Sequence, residues 1–138
     1  MKAVILVGGE GIRLRPLSCN IPKPMLPLAN KPFLEYIVEL LKKHSIREII
    51  LSGYYLADDI KAYFGDGSKF NLGISYVVED FPLGTGGAIK NVERSLKNST
   101  FVVFNGDILT DLNIGDLVNY HFRNKSKATI ALTPVEDP

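Results

Sequence analysis

"KAVILVGGEGIRLRPLS", residues Lys2 to Ser18, decides how the rest of the chain reads. Five consecutive apolar residues, Ala3 to Val7, follow a single lysine. A strand wetted on one face alternates apolar and polar residues, and this one does not. It has the pattern of a central parallel strand covered by helices on both sides. Gly8 and Gly9 end it. From there to Pro32 the chain has no hydrophobic period and is rich in Gly, Pro, Arg and Lys. Irregular runs of that length inside a domain are uncommon and are usually functional or disordered.

Working outward, apolar runs and amphipathic stretches alternate. "FLEYIVELLKKHS" (33–45) puts Leu34, Ile37, Leu40 and Leu41 on one helical stripe, and Pro32 suits its first turn. "REIILSGYY" (47–55) reads as a second buried strand. "LADDIKAYFGDG" (56–67) reads as a short helix closed by Gly65 and Gly67. "GISYVVED" (73–80) is β-branched and aromatic, a third strand. A helix is expected over 86–96, a fourth strand over 100–107, a helix over 114–125 and a fifth strand, "KATIALTPV", over 127–135. This order predicts the α/β class: a doubly wound, mostly parallel sheet with helices on both faces. The sequence reads as one unit over residues 1–138. It stops at "VEDP" after a predicted strand with no closing helix, so a C-terminally truncated fragment is expected.

The bulk properties exclude several function classes. The 138 residues are 46% hydrophobic and 22% charged, an ordinary globular composition. A net charge of +1 does not indicate a general nucleic-acid surface. No apolar run reaches the roughly 18 residues of a membrane span, and the N-terminus lacks the core and cleavage site of a signal peptide. The single cysteine, Cys19, permits no intrachain disulfide and fits a reducing, cytoplasmic setting. Cys19, His44 and His121 read as incidental loop or helix residues, and Asp111 and Asp116 as caps.

In a doubly wound sheet, ligands bind beyond the carboxyl ends of the strands. Four loops there are candidates for the chemistry: "GGEGIRLR", "SGYY", "EDFPLGTGG" and "NGDILTD". Gly8, Gly9 and Gly11 leave room for backbone N–H groups to approach phosphate oxygens, although a tight turn needs the same residues. The third glycine of a dinucleotide fingerprint and the Gly-Lys-Ser/Thr of a Walker loop are both missing. Arg13, Arg15, Lys23 and Lys31 oppose only Glu10 across this loop, a local excess of +3. Arg provides a planar fork for phosphate and Lys a mobile point charge, while Arg15 and Lys31 also fit plain surface charge. The prolines fix φ along the loop and lower the entropy lost when it closes on a polyanion. Asp107, after Asn105-Gly106 at a strand end, suits either a Mg²⁺ ligand or a turn cap. Glu79 ends the third strand, and Gly84 and Thr85 lie in the Gly-rich turn after it.

Together "GGEGIRLRPLS", "PKPMLPLANKP", "PLGTGGAI" and "NGD" resemble, across the whole chain, the sugar-1-phosphate nucleotidyltransferases. These are also called nucleoside-diphosphate-sugar pyrophosphorylases. Ile12 and Ser18 stand where Thr is commoner. The resemblance implies a Rossmann-like nucleotidyltransferase fold. It also implies an enzyme that joins an NTP to a sugar 1-phosphate with Mg²⁺ as cofactor and releases pyrophosphate. By that resemblance Gly8, Gly9 and Gly11, with Leu6, would wrap the ribose and phosphates. Arg13 would hold the departing phosphates, and Lys23 would contact the α-phosphate and the sugar phosphate. Asp107 would bind the metal, and Gly84 and Thr85 would pack beside the base. Members usually exceed 200 residues, so the sugar pocket and a second metal-binding Asp would lie past Pro138. The implied partners are the two substrates, with no nucleic acid and no membrane; a homo-oligomer is left open.

A phosphate monoester is largely dianionic at neutral pH, so this nucleophile needs no general base. The lack of an obvious catalytic His or Cys then fits. Glu79 lies five residues before Gly84, where thymidylyl and uridylyl members tend to carry Gln. A carboxylate only accepts, and guanine offers two adjacent donors, so Glu79 points to GTP; a surface Glu at a strand end is the plain alternative. "KPFLEYIVELLKK", "YFGDG" and "PLGTGGAIK" look like the mannose-1-phosphate and heptose-1-phosphate guanylyltransferase branch. Mannose 1-phosphate is the first choice of substrate. A glucose-1-phosphate thymidylyl- or uridylyltransferase is the nearest competitor, and a silent nucleotide-binding regulatory module the competitor of another class.

Overall fold

Lys2–Leu6 forms strand β1, and its burial explains its sequence. Ala3, Val4 and Ile5 are all fully buried, although successive side chains leave opposite faces of a sheet. The structure, a computed structural model, describes every residue except Glu10, Tyr55, Leu56, Asn98 and residues 136–138, and gives only the backbone of Ala57. The remaining elements, in chain order, are β2 (Pro27–Leu28), β3 (Lys31–Pro32), α1 (Phe33–Lys43), β4 (Glu48–Gly53), α2 (Ala57–Phe64), β5 (Gly73–Val78), α3 (Gly84–Asn91), α4 (Glu93–Leu96), β6 (Phe101–Asn105) and α5 (Ile114–Arg123).

Strands β1, β4, β5 and β6 make one sheet in the order β5-β4-β1-β6, every pair parallel. The chain lays strands on one side of β1 first and then crosses to the other. That reversal is the doubly wound pattern, and it opens a crevice at the carboxyl end of β1.

Helices cover both faces. On one, Leu34, Ile37, Val38 and Leu41 of α1, Ile60 and Phe64 of α2 and Ile114 of α5 pack on Ala3, Ile5, Ile49 and Leu51. On the other, Val92 and Leu96 pack on Val4 and Ile50. Burying each Val, Leu or Ile contributes about 1.5–3 kcal/mol, so β1 and β4 are held from both sides. The expected fold class is therefore found, and no helix among the described residues is long and apolar enough to cross a membrane.

Three local expectations need correction. Residues 127–135 form no strand: they have no ladder partner, and Ile130 and Leu132 are 78% and 89% exposed. β-Branched residues favour a strand only where a neighbouring strand takes up their backbone groups. The helix expected over 86–96 begins two residues earlier, at Gly84, and is interrupted at Val92. Asp116 does not cap α5; Asn113 does, its side chain accepting the Asp116 N–H. The predicted ends at Tyr55 and Leu56 lie outside the described residues.

Candidate active site

The long loop after β1 is tied down at several points. Gly11 has φ +62, a conformation glycine adopts without strain. The buried Ser18 hydroxyl donates to the Gly11 carbonyl at 2.6 Å. Ser18 therefore ties the loop back to its own start. Lys23 begins a single 3₁₀ turn, Lys23–Met25, between the buried rings of Pro22 and Pro24. With φ fixed on either side, its backbone is anchored and only its flexible stem is free to reach. A two-rung hairpin, β2 with β3, closes the loop, and Tyr36 fastens it by donating to the Leu28 carbonyl at 2.8 Å. Lys31 pairs with Glu39 and sits 4.1 Å over the Tyr36 ring, so it is structural surface charge.

The crevice holds a cleft of about 370 Å³. Each strand of the sheet contributes its carboxyl end: Leu6 to Gly9 after β1, Ser52 of β4, Glu79 after β5, and Asn105 to Asp107 after β6. Lys23 and Pro24 come in from the loop, and Gly84, Thr85 and Ala88 from the start of α3. Of the residues singled out in the sequence, Leu6, Gly8, Gly9, Lys23, Glu79, Gly84, Thr85 and Asp107 meet here. Gly11 abuts this wall from behind, since a Cβ on it would lie 3.2 Å from the Lys23 Cβ. Arg13 is exposed and does not line the cleft. Cys19 is likewise exposed and outside it.

Two contacts organise the cleft. Lys23 Nζ meets Asp107 Oδ2 at 2.5 Å across 84 residues of sequence. Both side chains are about a third exposed or more, so water screens the pair and its net stabilisation is about 0–1 kcal/mol. Its importance is geometric: it brings the proposed phosphate contact and the proposed metal ligand to one point. The second contact involves Glu79, only 6% exposed and without a salt-bridge cation among the described residues. Its Oε1 accepts from the Ser52 hydroxyl at 3.3 Å, and its Oε2 from the Leu83 N–H at 3.1 Å.

Glycine sets how closely the strand ends approach. The Gly106 N–H donates to the Leu6 carbonyl at 2.8 Å, extending the β1–β6 ladder past the last paired residues. A Cβ on Gly106 would stand 2.9 Å from that same carbonyl oxygen. The glycine before Asp107 therefore holds the carboxylate against β1.

Sequence reasoning placed the "SGYY" loop among the candidates but did not single out Ser52, which is 1% exposed and on the cleft wall. The available signal was a lone hydroxyl at the carboxyl end of an otherwise apolar strand. His44 and His121 lie away from the cleft, with His121 3.0 Å from the Thr129 hydroxyl.

The chain is similar in sequence and fold to known proteins. The family described as "Nucleotidyl transferase" matches residues 2–138. The mannose-1-phosphate guanylyltransferase of Mycobacterium tuberculosis is 46% identical over 136 residues, 99% of this chain and 38% of that protein. The D-glycero-alpha-D-manno-heptose 1-phosphate guanylyltransferase of Aneurinibacillus thermoaerophilus is 42% identical over 99% of this chain and 59% of its own length. Among solved structures, HddC from Yersinia pseudotuberculosis, complexed with GMP-PN, superposes with a TM-score of 0.78 at 39% identity, over 87% of this chain and 53% of that one. The chain thus spans between about two fifths and three fifths of these proteins. A family match over nearly every residue, joined to a strand-end cleft built from the motifs themselves, establishes that the chain belongs to the nucleotidyl transferase family.

Proposed function

We propose that the protein transfers a guanylyl group from GTP to a sugar 1-phosphate, mannose 1-phosphate first and a manno-heptose 1-phosphate second, releasing pyrophosphate. Residues 1–138 are the nucleotide-binding part of the catalytic unit in this reading, and the setting is cytoplasmic. The observation that carries the choice of GTP is the Glu79 carboxylate. Burying a carboxylate is costly unless donors or cations compensate. Glu79 has two neutral donors and lines the cleft, so a ligand bringing further N–H groups completes it. Guanine carries two such donors side by side on one edge; uracil and thymine carry one N–H beside carbonyl oxygens.

In the reaction, an oxygen of the sugar phosphate forms a bond to the α-phosphorus, and the bond from that phosphorus to the pyrophosphate oxygen breaks. Little proton transfer is needed, so positioning and charge neutralisation do the work. Gly8 and Gly9 present backbone to the nucleotide, Leu6, Gly84 and Thr85 bound it, and Lys23 neutralises the α-phosphate and the sugar phosphate. Arg13, outside the cleft, serves the departing β- and γ-phosphates where they extend from it.

Mg²⁺ fits the residues present. No group of three or more His, Cys, Asp or Glu side chains capable of holding a metal is found among the described residues. Mg²⁺ is commonly held by one or two carboxylates with phosphate oxygens completing the shell, and Asp107 supplies one. When bound, the ion supplies charge stabilisation at the phosphates.

The test offers the full-length protein each NTP with mannose, glucose and heptose 1-phosphates and follows pyrophosphate release with Mg²⁺. GTP with mannose 1-phosphate is expected to be best. Exclusive use of dTTP or UTP defeats the reading of Glu79, and no turnover with any pair favours a silent nucleotide-binding module.

A further inference from the structure

We infer that Ser52 is a positioning residue for base selection, acting through Glu79; the inference rests on the role proposed above for Glu79. Only three polar or charged side chains are buried among the described residues: Ser18, Ser52 and Glu79. Ser18 is committed to the loop backbone. Ser52 and Glu79 bond to each other, 27 residues apart, at the ends of adjacent strands. A buried hydroxyl beside Ile50 and Leu51 costs free energy unless it has a partner, and its partner is the one carboxylate in the cleft that lacks a cation.

The backbone around the pair is fixed. The Ser52 carbonyl accepts the Val7 N–H at 2.8 Å, and the Glu79 N–H donates to the Gly53 carbonyl at 2.9 Å. The terminal torsion of a glutamate is intrinsically broad, so a firm backbone alone does not set the carboxylate plane. Two donors on different oxygens do: Ser52 on Oε1 and the Leu83 N–H on Oε2. A carboxylate has about four acceptor positions. One per oxygen then remains, in a plane held from both sides, matching two N–H donors on one edge of a base. Without the Ser52 hydroxyl, Oε1 loses its restraint and the plane can turn about the bond that Leu83 still holds.

The experiment measures kcat/KM for GTP and for UTP, each with mannose 1-phosphate, in the full-length protein and in Ser52→Ala, Glu79→Gln and the double variant. Ser52→Ala removes one oxygen and keeps the packing. Its GTP:UTP ratio is expected to fall about fivefold, the scale of the net contribution of one typical hydrogen bond, this one being long at 3.3 Å. The fall should come through the KM for GTP, with kcat and the KM for sugar phosphate within about twofold. Ser52→Cys, close in size with a far weaker donor, should fall similarly, and Ser52→Thr, which keeps the hydroxyl, should recover most of the ratio. Glu79→Gln should lower the ratio further, and adding Ser52→Ala to it should change nothing more. An unchanged ratio in both Ser52→Ala and Ser52→Cys, with a collapsed ratio in Glu79→Gln, overturns the role of Ser52 and leaves that of Glu79 standing. An unchanged ratio in Glu79→Gln defeats both. Additive losses in the double variant overturn the claim that Ser52 acts through Glu79.

Discussion

Gly106→Ala is the sharpest test of how the strand ends build the cleft. The new Cβ would lie 2.8 Å from Val7 Cγ1 and 2.9 Å from the Leu6 carbonyl oxygen, against ordinary contacts that begin near 3.4 Å. The shortfall is about half an ångström at a backbone atom that cannot rotate away. Val7 is itself buried in the core and has little room to give. The tip of β6 must therefore retreat from β1, lengthening the Gly106 N–H bond to Leu6 and carrying Asp107 with it. Overpacking of this kind costs about 1–3 kcal/mol of stability. A misplacement near 1 Å in a catalytic constellation costs about a hundredfold, so a shift of about half that size should lower kcat/KM by about tenfold or more. Pyrophosphate release at varied Mg²⁺ and urea denaturation measure the two effects. Gly73→Ala is the control: it lies at the opposite end of β5, where a Cβ meets nothing nearer than 3.9 Å, and activity within about twofold of the parent is expected. Gly106→Ala retaining kcat/KM within about threefold would refute the claim that this glycine sets the position of Asp107.

Two further outcomes concern the turn after α2 and its neighbours. Gly65 and Gly67 both have positive φ, +55 and +87, but a Cβ on Gly65 meets open space, whereas one on Gly67 stands 2.8 Å from the Leu72 carbonyl oxygen. Gly65→Ala should cost about 1–2 kcal/mol for the left-handed backbone and Gly67→Ala at least about 1 kcal/mol more; equal urea midpoints would contradict the steric account. Burial, and then the Asp66 charge, push the Tyr76 hydroxyl above the usual tyrosine value. Raised in the folded state, it leaves stability intact below pH ~10 and removes it as the pH climbs through the raised value. Tyr76→Phe should flatten that loss in urea titrations between about pH 9 and 11; an unaltered slope would count against it.

Where the sequence could be read, burial was local and two-sided. β1 and β4 announce themselves because helices cover both faces, and the amphipathic stripe of α1 is found with Leu34, Ile37 and Leu41 in the core and Leu40 partly buried at its edge. Residues 127–135 have the same β-branched flavour, but a strand is a relation between segments, and no described segment pairs with this one. The site was legible as motifs and illegible as geometry. "PKPM" and "NGD" each suggest charge at a loop, yet nothing local says that Lys23 meets Asp107. Arg13, five residues from Gly8, reads as part of the same phosphate grip, but the 3₁₀ turn at Ile12–Leu14 leaves it in solvent. Ser52 was invisible because its partner is Glu79, and a single serine in an apolar strand looks like a tolerated substitution until the two strand ends are placed side by side.

The charges on the cleft wall bear on how it would receive the ligand proposed above. Its described charged residues are Lys23, Asp107 and Glu79. Lys23 and Asp107 cancel each other, and Glu79 leaves the wall one unit negative. A free triphosphate entering such a wall meets like charge in a partly desolvated place, where Coulomb terms are larger than in bulk water. In the proposed reading Asp107 would hold a divalent cation that would supply charge stabilisation at the phosphates, and Lys23, now paired with Asp107, would contact those phosphates. The arrangement also separates two tasks along one crevice. Beside the end of β5, Ser52 and the Leu83 N–H hold the Glu79 carboxylate, whose remaining acceptor positions suit the donors of a base edge. The Lys23–Asp107 pair at the end of β6 is suited to phosphate and metal. Because the Glu79 carboxylate bonds to Ser52 of β4, and β1 lies between β4 and β6, the two groups of side chains stand about two strand spacings, roughly 10 Å, apart. The strand order thus sets the separation between these two groups of side chains.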